Sequence, residues 1–202
     1  MPRSVAFTII AALLLSACGG ARVVRPPTPS PTTTRTPTPN TGGVDTAAPT
    51  PASTGPATTA IVELEKGGSF TIAFRADKAP NTVANFVKKA RAKDYDGTSF
   101  HRVVPGFVAQ GGDPYSKTGA GTPGTGGGQQ PTELSDLPFV KGALGIARGG
   151  DIKVSNDSQF YVCLDDAPHL NGQYTNFGNV TSGMDVVLKI AMGDKIKTIR
   201  IP

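Results

Sequence analysis

From Ala60 onward, short apolar runs alternate with clusters of glycine, proline and polar residues. Phe70, Ile72 and Phe74 interleave with Thr71, Ala73 and Arg75, a period of two that predicts a half-buried strand. It follows an earlier run, residues 61–65, across a Lys66-Gly67-Gly68 turn. After Pro80 the period changes. Val83, Phe86, Val87 and Ala90 fall at i, i+3, i+4 and i+7, the stripe of a helix with one buried face, and proline suits its first turn. Met184, Val187, Leu188 and Ala191 repeat that spacing near the end. Strand-like runs lie between the two helices at 99–110, 143–148, 159–164 and 174–180, and Ile196, Ile199 and Ile201 close the chain as a last strand. Many short strands with two helices predict a mainly β fold, a closed or nearly closed barrel whose ends the helices cover.

Before residue 60 neither period is present. Residues 1–17 carry Arg3, an apolar stretch over 6–15 and then small residues, the layout of a secretory signal. That stretch is too short to span a bilayer, which takes about 20 apolar residues. Leu15-Ser16-Ala17-Cys18-Gly19 resembles a bacterial lipobox, in which the chain is cut before the cysteine and Cys18 receives lipid. Each buried CH₂ of such a lipid contributes about 0.8 kcal/mol, and more than one acyl chain gives a stable anchor. Residues 19–59 hold nine prolines and twelve threonines but no aromatic residue, so they have too little apolar surface to bury. The sequence thus predicts a signal peptide over 1–17, a lipidated N-terminus with a disordered linker over 18–59, and one folded domain over 60–202. At about 3.1 Å per residue the linker reaches on the order of 100 Å from a membrane. The domain is expected outside the cytoplasm, as a lipid-anchored monomer.

Charge narrows the partners. The whole chain carries +5, but from Ala60 onward 16 Lys and Arg face 14 Asp and Glu, a net of +2. The excess sits in the head and linker, so nucleic acid is not an expected partner. Cys18 and Cys163 lie in segments too different to form a disulfide framework. Two histidines, His101 and His169, without a nearby Cys or Glu cluster predict no metal site. Residues 124–128, GTGGG, lack the lysine and following Ser/Thr of a phosphate-binding loop.

Four motifs stand in order along the domain: FHRVVPGFVAQGGD over 100–113, GIARG over 145–149, SQFY over 158–161 and PHLNG over 168–172. Together they resemble the cyclophilins, peptidyl-prolyl isomerases built as an eight-stranded antiparallel barrel capped by two helices. The chemistry such an enzyme faces is a rotation barrier of about 18–20 kcal/mol, set by the double-bond character of the peptide C–N bond. Uncatalysed X-Pro exchange takes tens to hundreds of seconds. No covalent bond need break, so a donor aimed at the prolyl nitrogen beside an apolar ring pocket suffices. The resemblance makes Arg102 that donor, with Gln110 orienting its guanidinium, and Phe107 and Val108 lining the ring pocket. It adds Ala147 and Arg148 as backbone partners, Gln159 and Tyr161 on the groove side of their strand, His169 and Leu170 as the far wall and Tyr174 at the rim. No cofactor is implied. The substrates would be proline-containing segments of unfolded or flexible polypeptides.

Strand parity sets His101 on the face opposite Arg102, a structural position, and makes Cys163 a small packed residue. Val108 stands where the family often has methionine, Tyr161 where phenylalanine is more familiar, and His169 where eukaryotic members have tryptophan. The last change predicts weaker cyclosporin binding. Two other readings are open: a cyclophilin-fold binding module or holdase with little isomerase activity, and an unrelated lipoprotein barrel enclosing a ligand cavity.

Overall fold

The computed structural model describes residues 57–202; the expected signal segment, Cys18 and all but the end of the expected linker lie outside them. Nine strands form one antiparallel sheet. They are β1 (Thr59–Leu64), β2 (Ser69–Phe74), β3 (Arg102–Val104), β4 (Val108–Gly111), β5 (Gln129–Pro131), β6 (Ala143–Arg148), β7 (Val154–Cys163), β8 (Asn176–Ser182) and β9 (Ile196–Arg200). Eight of them follow the path β3-β4-β7-β6-β8-β2-β1-β9, and β5 lies beside β7. The first strand takes Thr59, one residue earlier than the sequence pattern placed the domain start.

The eight-stranded antiparallel curl is the expected architecture, with two corrections. A ninth strand, β5, is present. Closure is partial: the ends of the path meet through a single bridge, Ser99 to Lys195, rather than a full ladder. Phe100 N–H donates to Asp194 O at 2.8 Å and Ile196 N–H donates to Thr98 O at 2.8 Å, which satisfies the edge locally.

The β1–β2 turn is built on Gly67 and Gly68, whose φ values of 93° and 86° exclude most side chains. Helix α1 (Pro80–Arg91) starts on the predicted proline and buries Thr82, Val83, Phe86, Val87 and Ala90. It has no side-chain cap of its own. The Glu133 carboxylate instead accepts the Asn81 and Thr82 backbone N–H groups at 3.0 and 2.8 Å, giving the positive helix end a negative partner. Phe86 carries the packing, its ring centroid lying 4.9 Å from Tyr95, 5.3 Å from Phe177 and 5.4 Å from Phe160. Burying such a ring stabilises the fold by up to about 3 kcal/mol.

Two other expectations change. The run 99–110 is not one strand. Pro105 and Gly106, the latter at φ 69°, fold it into the β3–β4 hairpin. The second long helix shrinks to one turn, α3 (Met184–Val187), after the one-turn α2 (Tyr115–Thr118). Past Val187 the backbone tightens to i to i+3 bonds, Lys189 to Val186 and Ile190 to Val187. That rotation buries Ile190 and leaves Leu188 exposed, although the spacing placed Leu188 on the buried face.

The alternation of β7 divides the apolar residues into two clusters. Phe160 and Val162 join Phe70, Ile72, Phe100 and Phe177 in the barrel interior, which aromatic rings fill. Tyr161 and Cys163 point the other way and pack with Val108, Phe139, Ala167 and Leu170 on the outer face. The groove forms there.

Candidate active site

Pairing between β3 and β4 sets Arg102 opposite Gln110, and pairing between β4 and β7 sets Gln110 opposite Tyr161. On the other side of β7, Gly145 of β6 faces Tyr161. A Cβ at Gly145 would overlap the Tyr161 ring, so glycine is what lets the phenol lie flat along β6. These strands and the turn after Cys163 enclose a pocket of about 240 Å³. Phe107, Val108, Tyr161, Leu170 and Tyr174 provide its apolar surface, and Arg102, Gln110, Ala147 and Arg148 the rest of its lining.

Nine of the eleven site residues named from the sequence therefore line one pocket. The other two stand beside it. Gln159 lines an adjoining depression. His169 is exposed on a single 3-10 turn, Pro168–Leu170, and packs its ring against Phe107 with centroids 5.2 Å apart, supporting the wall from behind.

The polar side of the pocket is a relay. Arg102 Nη1 donates to Gln110 Oε1 at 3.4 Å, Gln110 Nε2 donates to Gln159 Oε1 at 3.0 Å, and Gln159 Nε2 donates to Gly126 O at 2.7 Å. The first link is long for a hydrogen bond, and the Arg102 side chain is exposed, 5.8 Å from the Phe107 ring centroid. Arg102 is thus steered by Gln110 without being held rigidly.

Gly126, where the relay ends, is fixed at both polar groups. Its carbonyl also accepts Asn156 Nδ2 at 3.0 Å. Its N–H donates to Asp113 Oδ2 at 3.1 Å, and the Gly124 N–H donates to the same oxygen. Asp113 is fully buried, and its other oxygen accepts the Tyr115 N–H at 2.7 Å. Asn156 Oδ1 accepts the backbone N–H groups of Ser158 and Gln159 at 2.8 and 2.7 Å, which orients the start of the SQFY run. Gly126 lies in the glycine loop 124–128 read from the sequence, while Asp113, Gly145 and Asn156 were given no role there. For Asp113 the signal was present, as the acidic end of the first motif.

His101 lies outside the pocket lining, with its ring packed toward the Gly124 backbone and neither ring nitrogen hydrogen bonded. Burial pushes its pKa below the ordinary histidine value, against an opposing pull from Asp113. The Cys163 thiol is fully buried and pushed up to about 12 by loss of solvent, so it remains protonated and is no nucleophile at neutral pH. Burial likewise drives the Tyr161 phenol upward, and its hydroxyl has no hydrogen-bond partner among the described residues.

Comparison with known proteins agrees with this geometry. The family model "Cyclophilin type peptidyl-prolyl cis-trans isomerase/CLD" matches residues 59–201. A peptidyl-prolyl cis-trans isomerase of Synechococcus elongatus is 42% identical over 146 residues, covering 71% of this chain and 96% of the relative. Peptidyl-prolyl cis-trans isomerase B of Bacillus subtilis is 43% identical over 138 residues, covering 68% of this chain and 94% of the relative. Among solved structures, a cyclophilin type peptidyl-prolyl cis-trans isomerase of Cryptosporidium parvum superposes with a TM-score of 0.63 at 25% identity, over 72% of this chain and 97% of its own. The family match runs from the first strand of the sheet to the last, and by it the chain belongs to the cyclophilin-type peptidyl-prolyl cis-trans isomerases.

Proposed function

We propose that this chain accelerates rotation about X-Pro bonds in polypeptides outside the cytoplasm, by a non-covalent mechanism, while tethered to a membrane through lipid on Cys18. The observation that carries the reaction is the placement of a steered guanidinium, Arg102, at the mouth of a pocket floored by Phe107, Val108, Tyr161 and Leu170. A proline ring seated on that floor turns its nitrogen toward Arg102. As the C–N bond twists, the nitrogen becomes pyramidal and its lone pair, delocalised into the carbonyl in the planar amide, localises on nitrogen and accepts a hydrogen bond. In the planar ground state it accepts none, so the Arg102 contact strengthens in the transition state and lowers the barrier. Arginine stays charged at every physiological pH, and no proton changes hands.

The pocket volume suits one proline residue, and the backbone at Ala147 and Arg148 is positioned to hold the chain that flanks it. A structural neighbour, the Cryptosporidium parvum enzyme, was solved in the presence of the dipeptide Ala-Pro. The extracytoplasmic site of action rests on the signal-like head and on the lipobox-like run that ends at Cys18 and Gly19.

The test is a protease-coupled assay with an Ala-Pro peptide and the full chain in detergent. Acceleration over the uncatalysed rate is expected. Suppression of aggregation with no acceleration at any concentration would replace the enzyme by a holdase.

A further inference from the structure

The groove continues beyond the ring pocket. A second depression of about 210 Å³ adjoins it and shares Gln110, Ala147 and Arg148 with it. The rest of its wall is neutral, made by Gln129, Asn156, Gln159 and the glycine loop among others. Among the described residues Arg148 is the one charged residue lining both depressions, and no carboxylate lines either. Acidic side chains on the elements around the groove have partners of their own: Asp113 accepts from the Gly124 and Gly126 N–H groups, Asp157 from the Gly128 N–H at 2.7 Å with Lys89 beside it, and Asp151, three residues beyond Arg148, from the Lys153 N–H at 2.9 Å.

Arg148 is also fixed in place, unlike Arg102. Its Nε donates to Gln173 O at 2.8 Å, its Nη1 donates to Gly149 O at 2.8 Å, and the guanidinium lies 4.5 Å from the Tyr174 ring centroid. Nη2 has no protein acceptor among the described residues. The result is a preorganised cation with one open edge, which loses little conformational freedom on meeting an anion.

The direction of a bound chain follows from the ring pocket. A proline whose nitrogen faces Arg102 has its preceding residue attached at that nitrogen, on the side of Arg102 and Gln110. Gln110 belongs to the second depression too, so the chain before the proline enters it. At about 3.8 Å between consecutive Cα atoms, one or two residues cover the step from one depression to the next.

We infer that Arg148 makes this groove selective for an acidic side chain at one of the two positions preceding proline, an inference that rests on the isomerase reading for what the groove binds. Clients with Asp or Glu before proline are then preferred, and those with Lys or Arg are disfavoured.

The experiment uses the full chain in detergent, its Arg148→Gln variant, and peptides bearing Glu, Gln or Lys at either position before proline. Turnover is read by exchange NMR and binding by chemical-shift titration of the same samples. For the parent at low salt, a Glu-to-Lys preference of roughly tenfold is expected at one of the positions, with Gln between, as suits an attractive contact exchanged for a repulsive one. In Arg148→Gln that ratio falls toward one. The ratio is formed within each protein, so a general loss of activity cancels. A parent ratio near one, or a ratio unchanged in Arg148→Gln, overturns the inference. Selective binding without turnover would sink the isomerase reading and leave the charge selectivity standing. Turnover without selectivity would do the reverse.

Discussion

Arg102 and Arg148 differ in how tightly they are held, and the difference matches what each would do. Arg102 is exposed with one long bond to Gln110, free to follow a nitrogen that moves as the bond twists. Arg148 is fastened to three carbonyls and a ring, suited to recognition. Behind them, His101 carries a stability consequence. Its folded pKa is lowered first by burial, with Arg102 adding to the shift and Asp113 opposing it. In the pH window between that lowered value and the ordinary one near ~6.5, the unfolded chain binds more protons, so stability falls as pH drops. Thermal melts are expected to show Tm flat above about pH 7.5 and declining below ~6.5, and His101→Gln should flatten that decline. A slope unchanged in His101→Gln would assign the effect to other groups.

At the scale of elements, the glycine loop 124–128 acts as an anchor for the Gln159, Gln110 and Arg102 relay. Asp113 holds the loop by accepting from donors on both of its oxygens, so Asp113→Asn necessarily turns an amide N–H toward a backbone N–H. A loss of about 2 kcal/mol in urea unfolding is expected, as for a buried charged acceptor. A several-fold drop in kcat/KM should accompany it, scaling with the loosened relay. Unchanged unfolding would show that the loop is held by other contacts. This loop also marks where sequence reading stops. Strands β1 and β2 and helix α1 were legible because one face is apolar and period exposes it, and β6 and β7 because a short apolar run, buried on both faces, stands between turn residues. β5 was not, since Gln129–Pro131 has no apolar face and is held on β7 by backbone pairing and by Gln130 Nε2 donating to Asn156 O at 3.0 Å. The shortened α3 was missed because an apolar spacing of three and four fits both an α-helix and a tighter turn. At the site, Arg102, Phe107, Val108 and Gln110 were legible as one contiguous motif. Asn156 and Gly145 were not, because a polar side chain bonding to backbone, or a glycine making room for Tyr161, leaves no periodic trace.

At the scale of the whole molecule, the barrel interior is filled by Phe70, Phe100, Phe160 and Phe177, while the groove lies on the outer face of β4, β6 and β7. A reading as a barrel enclosing a ligand finds no support in that arrangement. The proposed tether keeps such a groove open to passing chains, since β1 begins at Thr59 and some 40 residues separate Cys18 from it. Metabolic labelling with a fatty-acid analogue should mark the full chain and leave Cys18→Ala unlabelled; label persisting in Cys18→Ala would remove the anchor. The central claim, that Arg102 stabilises the twisted bond rather than the bound peptide, is met most directly by exchange NMR at saturating Ala-Pro peptide. There Arg102→Ala is expected to slow on-enzyme cis–trans exchange by about 100-fold or more while the peptide Kd changes by less than about threefold. Exchange as fast in Arg102→Ala as in the parent, with the peptide bound, would contradict it.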